Sequence, residues 1–504
     1  MSCTVSSGTL VGVDAHPVHV EVDLLRRLPA VVIVGLPGGA VRESADRVRS
    51  ALQQADFEFP RKRVVVNLAP ADLKKSGTGF DLPIAVGILV ASEQVPITRL
   101  NDTAFFGELS LDGQLRRVRG VLPMALMARE QGLKRLVVPQ ECAPEAAVVS
   151  DLEVRGARTL GEVAAWMRDA GPLPLAEAHP KATARQRLDL SEVRGQHQAR
   201  RALEVAAAGG HNLLMMGSPG CGKSMLAARL PSILPDLSFE EAIDITRVHS
   251  VAGLLDAGQG LVTQRPFRAP HHSVTAAGMI GNAALRPGEV SLAHHGVLFL
   301  DEIAEFQRSV LELLRGPLED RRLHLTRASG SVEFPADISL VAAANPCPCG
   351  YLGHPTRSCS CSPGHIERYR QRLSGPLLDR IDLHVWVDPV SPEELARTAP
   401  GESSSAVRAR VEAARARQRA RHSNHKAQCN AQLQGDQVRQ AAQPTSGALR
   451  ILERTLAKLG LSARAWSRIL KVARTVADLD GDERVDEPHV LEALTWRDHV
   501  RGRQ

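Results

Sequence analysis

Aromatic residues are scarce in this chain: Phe, Trp and Tyr make up 3% of 504 residues, with two tyrosines and four tryptophans. That scarcity argues against the rows of stacking rings with which single-strand-binding proteins hold unpaired bases. Long apolar runs are also missing. Nothing approaches the ~20 residues a helix needs to cross a bilayer, and Met1-Ser-Cys-Thr-Val-Ser has no charged segment leading into an apolar one. A cytoplasmic protein with no membrane partner is expected. Eight cysteines, with Cys221 alone and four between positions 347 and 361, do not form the pattern of a secreted disulfide framework. Charge of neither sign dominates: the net value is +6, which permits nucleic-acid binding without requiring it.

What is present is an α/β multidomain pattern, and the length suits about three domains of ~150 residues each. Residues 1–172 alternate apolar runs such as Val31-Val-Ile-Val-Gly35, Arg63-Val-Val-Val-Asn67 and Leu136-Val-Val-Pro139 with helical stretches, predicting a mixed α+β domain. Residues 173–187 are rich in Pro, Ala and charge and read as a linker. Over 188–400, strands and helices alternate after a glycine-rich loop, which predicts a parallel sheet covered on both faces with a ligand at its carboxyl edge. Residues 401–445 are an Ala-, Arg- and Gln-rich connector. Residues 446–504 carry helical spacing at Leu449, Leu452, Leu456 and at Ile469, Val472, Val476, predicting a small helical lid domain.

Gly217-Ser218-Pro219-Gly220-Cys221-Gly222-Lys223-Ser224 follows the apolar run Asn212-Leu-Leu-Met-Met216 and has G-x-x-x-x-G-K-S spacing. Glycines let consecutive backbone N–H groups close around a polyanion, Lys223 adds a point charge, and Ser224 offers a Mg²⁺ ligand. A second apolar run, Val297-Leu-Phe-Leu300, ends in Asp301 and Glu302, read as a neighbouring strand that delivers two carboxylates, one for Mg²⁺ and one for the attacking water. A third, Ile338 to Ala344, ends at Asn345, whose neutral amide suits contact with the same water or with a γ-phosphate. Arg380, in Leu377-Leu-Asp-Arg-Ile-Asp382, has acids on both sides that are expected to orient it. An ordinary surface arginine would carry the same flanks.

Together with Gly195-Gln196, Arg265-Pro-Phe-Arg-Ala-Pro-His-His272 and Pro287-Gly-Glu-Val-Ser-Leu-Ala-His294, these motifs resemble the AAA+ ATPases of the magnesium-chelatase-like branch. Over nearly the whole chain the sequence resembles the ComM/YifB family within it. The resemblance implies a homo-hexameric, Mg²⁺-dependent ATPase and DNA helicase that migrates branches during recombination and competence, with a recombinase or loading protein as a further partner. It carries ATP-site roles onto Lys223, Ser224, Asp301, Glu302 and Asn345, and an arginine finger in trans onto Arg380. Sensor 2 falls on Arg464, with Arg468 one helical turn away as the alternative. It makes Thr263 to Glu289 a helix-2 insertion. Leu323 to Phe334 becomes a hairpin turning at Ser329-Gly330, both elements pointing to a central pore. Phe106 to Arg116 resembles the Lon proteolytic domain, but Leu122 stands near the catalytic-lysine position, and Ser76 and Thr78 are offset from the nucleophile's.

Cys347, Cys349, Cys359 and Cys361 form two C-x-C pairs nine residues apart, a set that suits tetrahedral structural zinc, with free thiols or a redox pair as the other readings. For DNA, the candidates are Arg327 near the hairpin tip and Arg408, Arg415 and Arg419 on one side of a cationic helix, with a merely solvated helix as the rival. Two other functions stay open: a chelatase-type remodeller of a protein partner, against which residues 1–172 are counted as an extension, and a Lon-like ATP-dependent protease.

Overall fold

A computed structural model of the chain describes residues 2–178, 188–327, 330–390, 399–422, 427–459 and 463–497. Most of the expected linker, Ser329 of the hairpin turn, and Leu461 and Ser462 ahead of Arg464 lie outside the described residues.

The N-terminal region is built on a seven-stranded sheet in the order β3-β4-β2-β1-β5-β8-β9. Its strands are β1 (Cys3–Val11), β2 (Asp14–Leu25), β3 (Ala30–Val34), β4 (Arg63–Ala69), β5 (Thr103–Phe105), β8 (Arg135–Pro139) and β9 (Glu153–Ala157). A two-stranded ribbon, β6 (Glu108–Leu109) with β7 (Leu115–Arg116), stands apart. The pairs β1/β2 and β2/β4 are antiparallel, and the remaining four pairs are parallel. Val18, Val20 and Val22 on β2 and Val64, Val66 and Leu68 on β4 are buried at every second position, the period that turns one face of a strand inward. The helix Asp81–Ala91 is buried along its whole length, as its unbroken apolar sequence requires. It approaches β2 so closely that a Cβ on Gly87 would fall 2.5 Å from Val22 Cγ2. Leu173 to Ala176, expected in the linker, continue this region: Leu173 is buried, and the segment pairs backbone groups with β9.

The second sheet orders its strands β11-β12-β15-β10-β16, all parallel. They are β10 (Leu213–Met216), β11 (Phe267–Arg268), β12 (Val297–Leu300), β15 (Ser339–Ala344) and β16 (Leu383–Trp386). β10 and β12 are buried at every residue, the signature of strands covered by helices on both faces. The antiparallel hairpin β13 (Arg322–Arg327) and β14 (Gly330–Pro335) is formed where expected. Its apolar side chains Leu323, Leu325, Val332 and Phe334 share a core with Val13 of the β1–β2 turn, while Arg327 stays exposed.

Among the described residues the C-terminal helices share the core of the parallel-sheet region. Val407, Val411, Ala414, Ile469, Leu470, Val472 and Val476 pack in one cluster with Leu203, Leu213 and Leu383 of the parallel-sheet region. The N-terminal region is docked on the helix Phe239–Ala252 and the segment after it: Gly120 N–H donates to Ser250 O at 3.3 Å, Ser250 Oγ to Glu145, and Gly258 N–H to Glu141 O at 3.0 Å.

Candidate nucleotide site and cysteine cluster

At the carboxyl end of β10 the chain turns through the glycine-rich loop into the helix Lys223–Ile233. Gly220 and Gly222 have φ of +79° and +94°, a region open to glycine at little steric cost, and this curls the loop backbone into a concave nest. Lys223 is 8% exposed, and its ammonium donates to Gly217 O at 2.7 Å, Ser218 O at 2.9 Å and Asn345 Oδ1 at 3.2 Å. Ser224 Oγ donates to Asp301 Oδ2 at 2.6 Å, and the other oxygen of Asp301 accepts the Glu302 N–H at 3.0 Å. Glu302 itself is exposed. A point charge, a hydroxyl–carboxylate pair and a free carboxylate thus meet a sensor amide at one sheet edge, and the donor set fits a Mg²⁺-bound triphosphate.

The route by which these residues meet differs from the sequence reading in one respect. β12 is not the neighbour of β10, because β15 lies between them, paired to β10 at Met216↔Ala344 and to β12 at Leu300↔Ala342. Asn345 therefore leaves the strand between the phosphate loop and the two carboxylates. Nothing local in the sequence reports strand order.

Gln196, part of the motif pattern with no role of its own in the sequence, braces the loop: φ is +48° and Nε2 donates to Cys221 O at 2.6 Å. Its signal was a Gly-Gln pair at the start of a helix, where a left-handed turn is needed.

Arg380 makes no bond to its own chain's phosphate loop. Nε donates to Arg315 O at 3.1 Å and Nη1 to Pro376 O at 2.9 Å, and the ion-pair partner is Glu319. The expectation that Asp379 and Asp382 orient it is corrected by this geometry. Asp382 is turned inward to His211 Nδ1 at 3.1 Å, while His211 Nε2 meets Thr475 Oγ1 at 2.8 Å. Burial pushes the Asp382 carboxyl up, but the His211 contact outweighs it and holds the group well below the usual carboxylate range. Arg380, Arg464 and Arg468 instead line a second cleft of about 710 Å³, with Lys471, Arg415 and Arg419.

The arginine-rich helix is not a free cationic rod. Val407, Val411, Ala414 and Gln418 form a buried stripe at helical spacing, and the flanking arginines reach the ends of neighbouring helices. Arg408 donates to Ser232 O in the last turn of Lys223–Ile233, Arg415 to Ala207 O near the end of His197–Gly209, and Arg417 to Asp478 O near the end of Ala463–Asp480. Those carbonyls lack intrahelical donors and sit at the negative ends of helix dipoles, so guanidinium groups suit them twice over. Arg419 is exposed.

The four cluster cysteines converge. Sγ of Cys347 lies 3.4 Å from that of Cys349 and 3.6 Å from that of Cys359, Cys349 and Cys359 are 3.5 Å apart, and all four sulfurs fall within 4.8 Å of one another. Four thiolates at Zn–S bond length would be spaced about 3.8 Å. Within the crowded set the Tyr351 backbone N–H draws the Cys349 thiol down to about 6, while the thiols of Cys347, Cys359 and Cys361 are shifted up. A second group, Asp244, His294 and His295, fits a metal less well. His294 Nδ1 accepts the Asp337 N–H at 3.1 Å, so in the neutral ring the proton sits on Nε2; burial first and the charge of His295 second lower its pKa to about 3.

In the N-terminal region, Thr78 Oγ1 is bound to Glu108 and Lys75 Nζ to Pro70 O. Leu122 is buried where a Lon-type lysine is expected. A Cβ on Gly79 would lie 2.0 Å from the Phe106 ring, so that ring fills the space a side chain would need there. Among the described residues no serine or threonine hydroxyl is hydrogen-bonded to Lys74 or Lys75.

An all-parallel sheet in this order, with a phosphate loop, an acidic strand end and the Asn345 amide at one edge, is the arrangement of a nucleotide-binding protein of the AAA+ class. Models described as "Magnesium chelatase, subunit ChlI", "Subunit ChlI of Mg-chelatase" and "Magnesium chelatase, subunit ChlI C-terminal" match residues 189–395, 20–142 and 401–497. The chain is 45% identical over 506 residues to the competence protein ComM of Haemophilus influenzae, covering 99% of this chain and 97% of that one. It is 43% identical over 490 residues to the Escherichia coli protein YifB, at 97% and 95% coverage. The chain belongs to the ComM/YifB family of magnesium-chelatase-like proteins. Its N-terminal part is also 24% identical over 131 residues to a Clostridioides difficile Lon protease, covering 25% of this chain and 16% of that protein. The match of a chelatase-subunit model to residues 20–142 removes the argument that this region sets the chain apart from chelatase subunits. Among the described residues no helix is long and apolar enough to cross a membrane.

Proposed function

We propose that the chain is an ATP-driven motor that assembles as a homo-hexamer, moves on DNA without regard to sequence and migrates branches as a helicase. ATP with Mg²⁺ supplies the transferable phosphoryl group and the neutralising cation. In this reading Lys223 and the loop N–H groups hold phosphates, Ser224 and Asp301 hold the metal, Glu302 deprotonates water, and Asn345 positions it. The observation that carries the proposal is the separation of Arg380 and Arg464 from the same chain's phosphate loop, together in another cleft. A site that needs those cations is completed by a second copy, which ties hydrolysis to ring assembly. The competence name of the H. influenzae relative supports DNA as the track. Arg327 and Arg419, both exposed, are the candidate phosphate contacts. The sulfur geometry supports one structural zinc ion on the four cysteines.

The test offers purified protein a labelled three- or four-stranded junction with ATP, and Lys223→Ala as control. ATP-dependent strand exchange by the wild type alone is expected. Hydrolysis stimulated by a protein partner and indifferent to DNA would favour the chelatase-type remodeller, which the chelatase family matches support. Casein degradation would favour the protease.

A further inference from the structure

The cysteine cluster is attached to the nucleotide site at three points. Cys347 is fully buried and follows Asn345 by two residues, so the first ligand pair sits on the exit of the sensor strand. Within the loop, Gly350 has φ of +84° and backs onto the phosphate loop: a Cβ there would lie 2.5 Å from Pro219 Cδ and 2.6 Å from Cγ. Cys361 immediately precedes Ser362, the N-cap of the helix Pro363–Arg370, which carries Tyr369, and Cys359 lies two residues before Cys361. That tyrosine is buried, and the Asn345 backbone and the charges of Glu305 and Glu302 are near enough to bear on its hydroxyl. No disulfide ties these segments, and the residues between the cysteine pairs include Gly350, Gly353 and Pro355.

We propose that a zinc ion on Cys347, Cys349, Cys359 and Cys361 controls nucleotide binding and turnover, by clamping the 347–361 loop against Pro219 while holding Asn345 at its distance from Lys223. This rests on the zinc reading above. It adds that the metal acts on the ATP site and is not confined to local folding. The physical case is positional. Phosphoryl transfer depends on groups held to within fractions of an ångström, and a displacement of ~1 Å can cost on the order of a hundredfold in rate. Losing the ion removes the one link between the two C-x-C pairs, so that nothing covalent or ionic among the described residues keeps the loop between them seated against Pro219.

The test uses the full-length protein. Zinc is measured in the purified protein, removed with a strong chelator and restored by adding zinc. Affinity for a fluorescent ATP analogue, hydrolysis rate and thermal unfolding are followed throughout. Stripping is expected to lower affinity and turnover at least about tenfold, with recovery on zinc and none on magnesium. Gly350→Ala is the second variant: it should keep one zinc per chain and lose nucleotide affinity, so it decides the matter even if the stripped protein unfolds. Absence of zinc that no titration can load would end the zinc reading itself. One zinc per chain, with stripped and Gly350→Ala proteins binding and hydrolysing ATP like the wild type, would leave that reading standing and overturn the coupling.

Discussion

Glu302 adopts φ of +50°, a left-handed conformation that costs a non-glycine residue roughly 1–2 kcal/mol. The N–H bond to Asp301 compensates part of that cost, and the turn separates the two carboxylates: Asp301 faces Ser224, while Glu302 points to solvent at the sheet edge. Two acids adjacent in sequence thereby acquire different duties. Glu302→Gln is expected to bind the fluorescent ATP analogue as the wild type does and to hydrolyse ATP about 10²–10⁴-fold more slowly, the range for loss of a general base. Weakened binding at unchanged turnover would place the general base elsewhere. The residues of this site were legible because a phosphate loop and an acidic strand end are local motifs. The bend at Glu302 was not, since nothing in Asp-Glu-Ile announces a left-handed turn.

The helix Ser404–Arg421 shows how an element can be misread from charge alone. Its arginines look like a phosphate-binding surface in sequence, but the stripe of Val407, Val411, Ala414 and Gln418 was there to be read at the same spacing. Helix-end carbonyls that recruit Arg408, Arg415 and Arg417 come from three distant segments, which no local pattern reveals. Arg415→Ala should therefore lower stability by about 1–3 kcal/mol, as for a lost charged hydrogen bond, and leave the salt dependence of DNA binding unchanged. Arg419→Ala should do the reverse, reducing the slope of log affinity against log salt by about one. Chemical denaturation and DNA titrations over a salt series check both, and a swap of the two outcomes would contradict the capping role.

At the scale of the whole molecule, the N-terminal region is held on the parallel-sheet region partly through Glu145. Its Oε1 accepts the Leu122 N–H at 2.8 Å and the Ser250 hydroxyl, and burial pushes its pKa up to about 7 from 4.5 despite those bonds. The docked protein thus holds a proton that the unfolded chain releases. The stabilisation is full below pH 4.5 and is lost as pH rises to about 7, a change of order 3 kcal/mol with no further loss above. Glu145→Gln should flatten that dependence in thermal unfolding followed from pH 5 to 8; a wild type equally stable across this range would show that the carboxylate is already ionised when docked. The same scale explains why Arg380 and the phosphate loop of one chain face different clefts, a separation invisible along the sequence.

The amino-acid sequence by itself determined the chemistry available: the phosphate loop, the carboxylate pair, Asn345, the four cysteines and the alternating apolar runs that make these strands, because each depends on residues near in the chain. The tertiary structure alone decided that β15 separates β10 from β12, that Asp382 turns to His211 while Glu319 holds Arg380, and that arginines close helix ends. Strand order, ion-pair choice and burial are settled by the packing of segments far apart in the chain, where burial and long-range charge outweigh local preference.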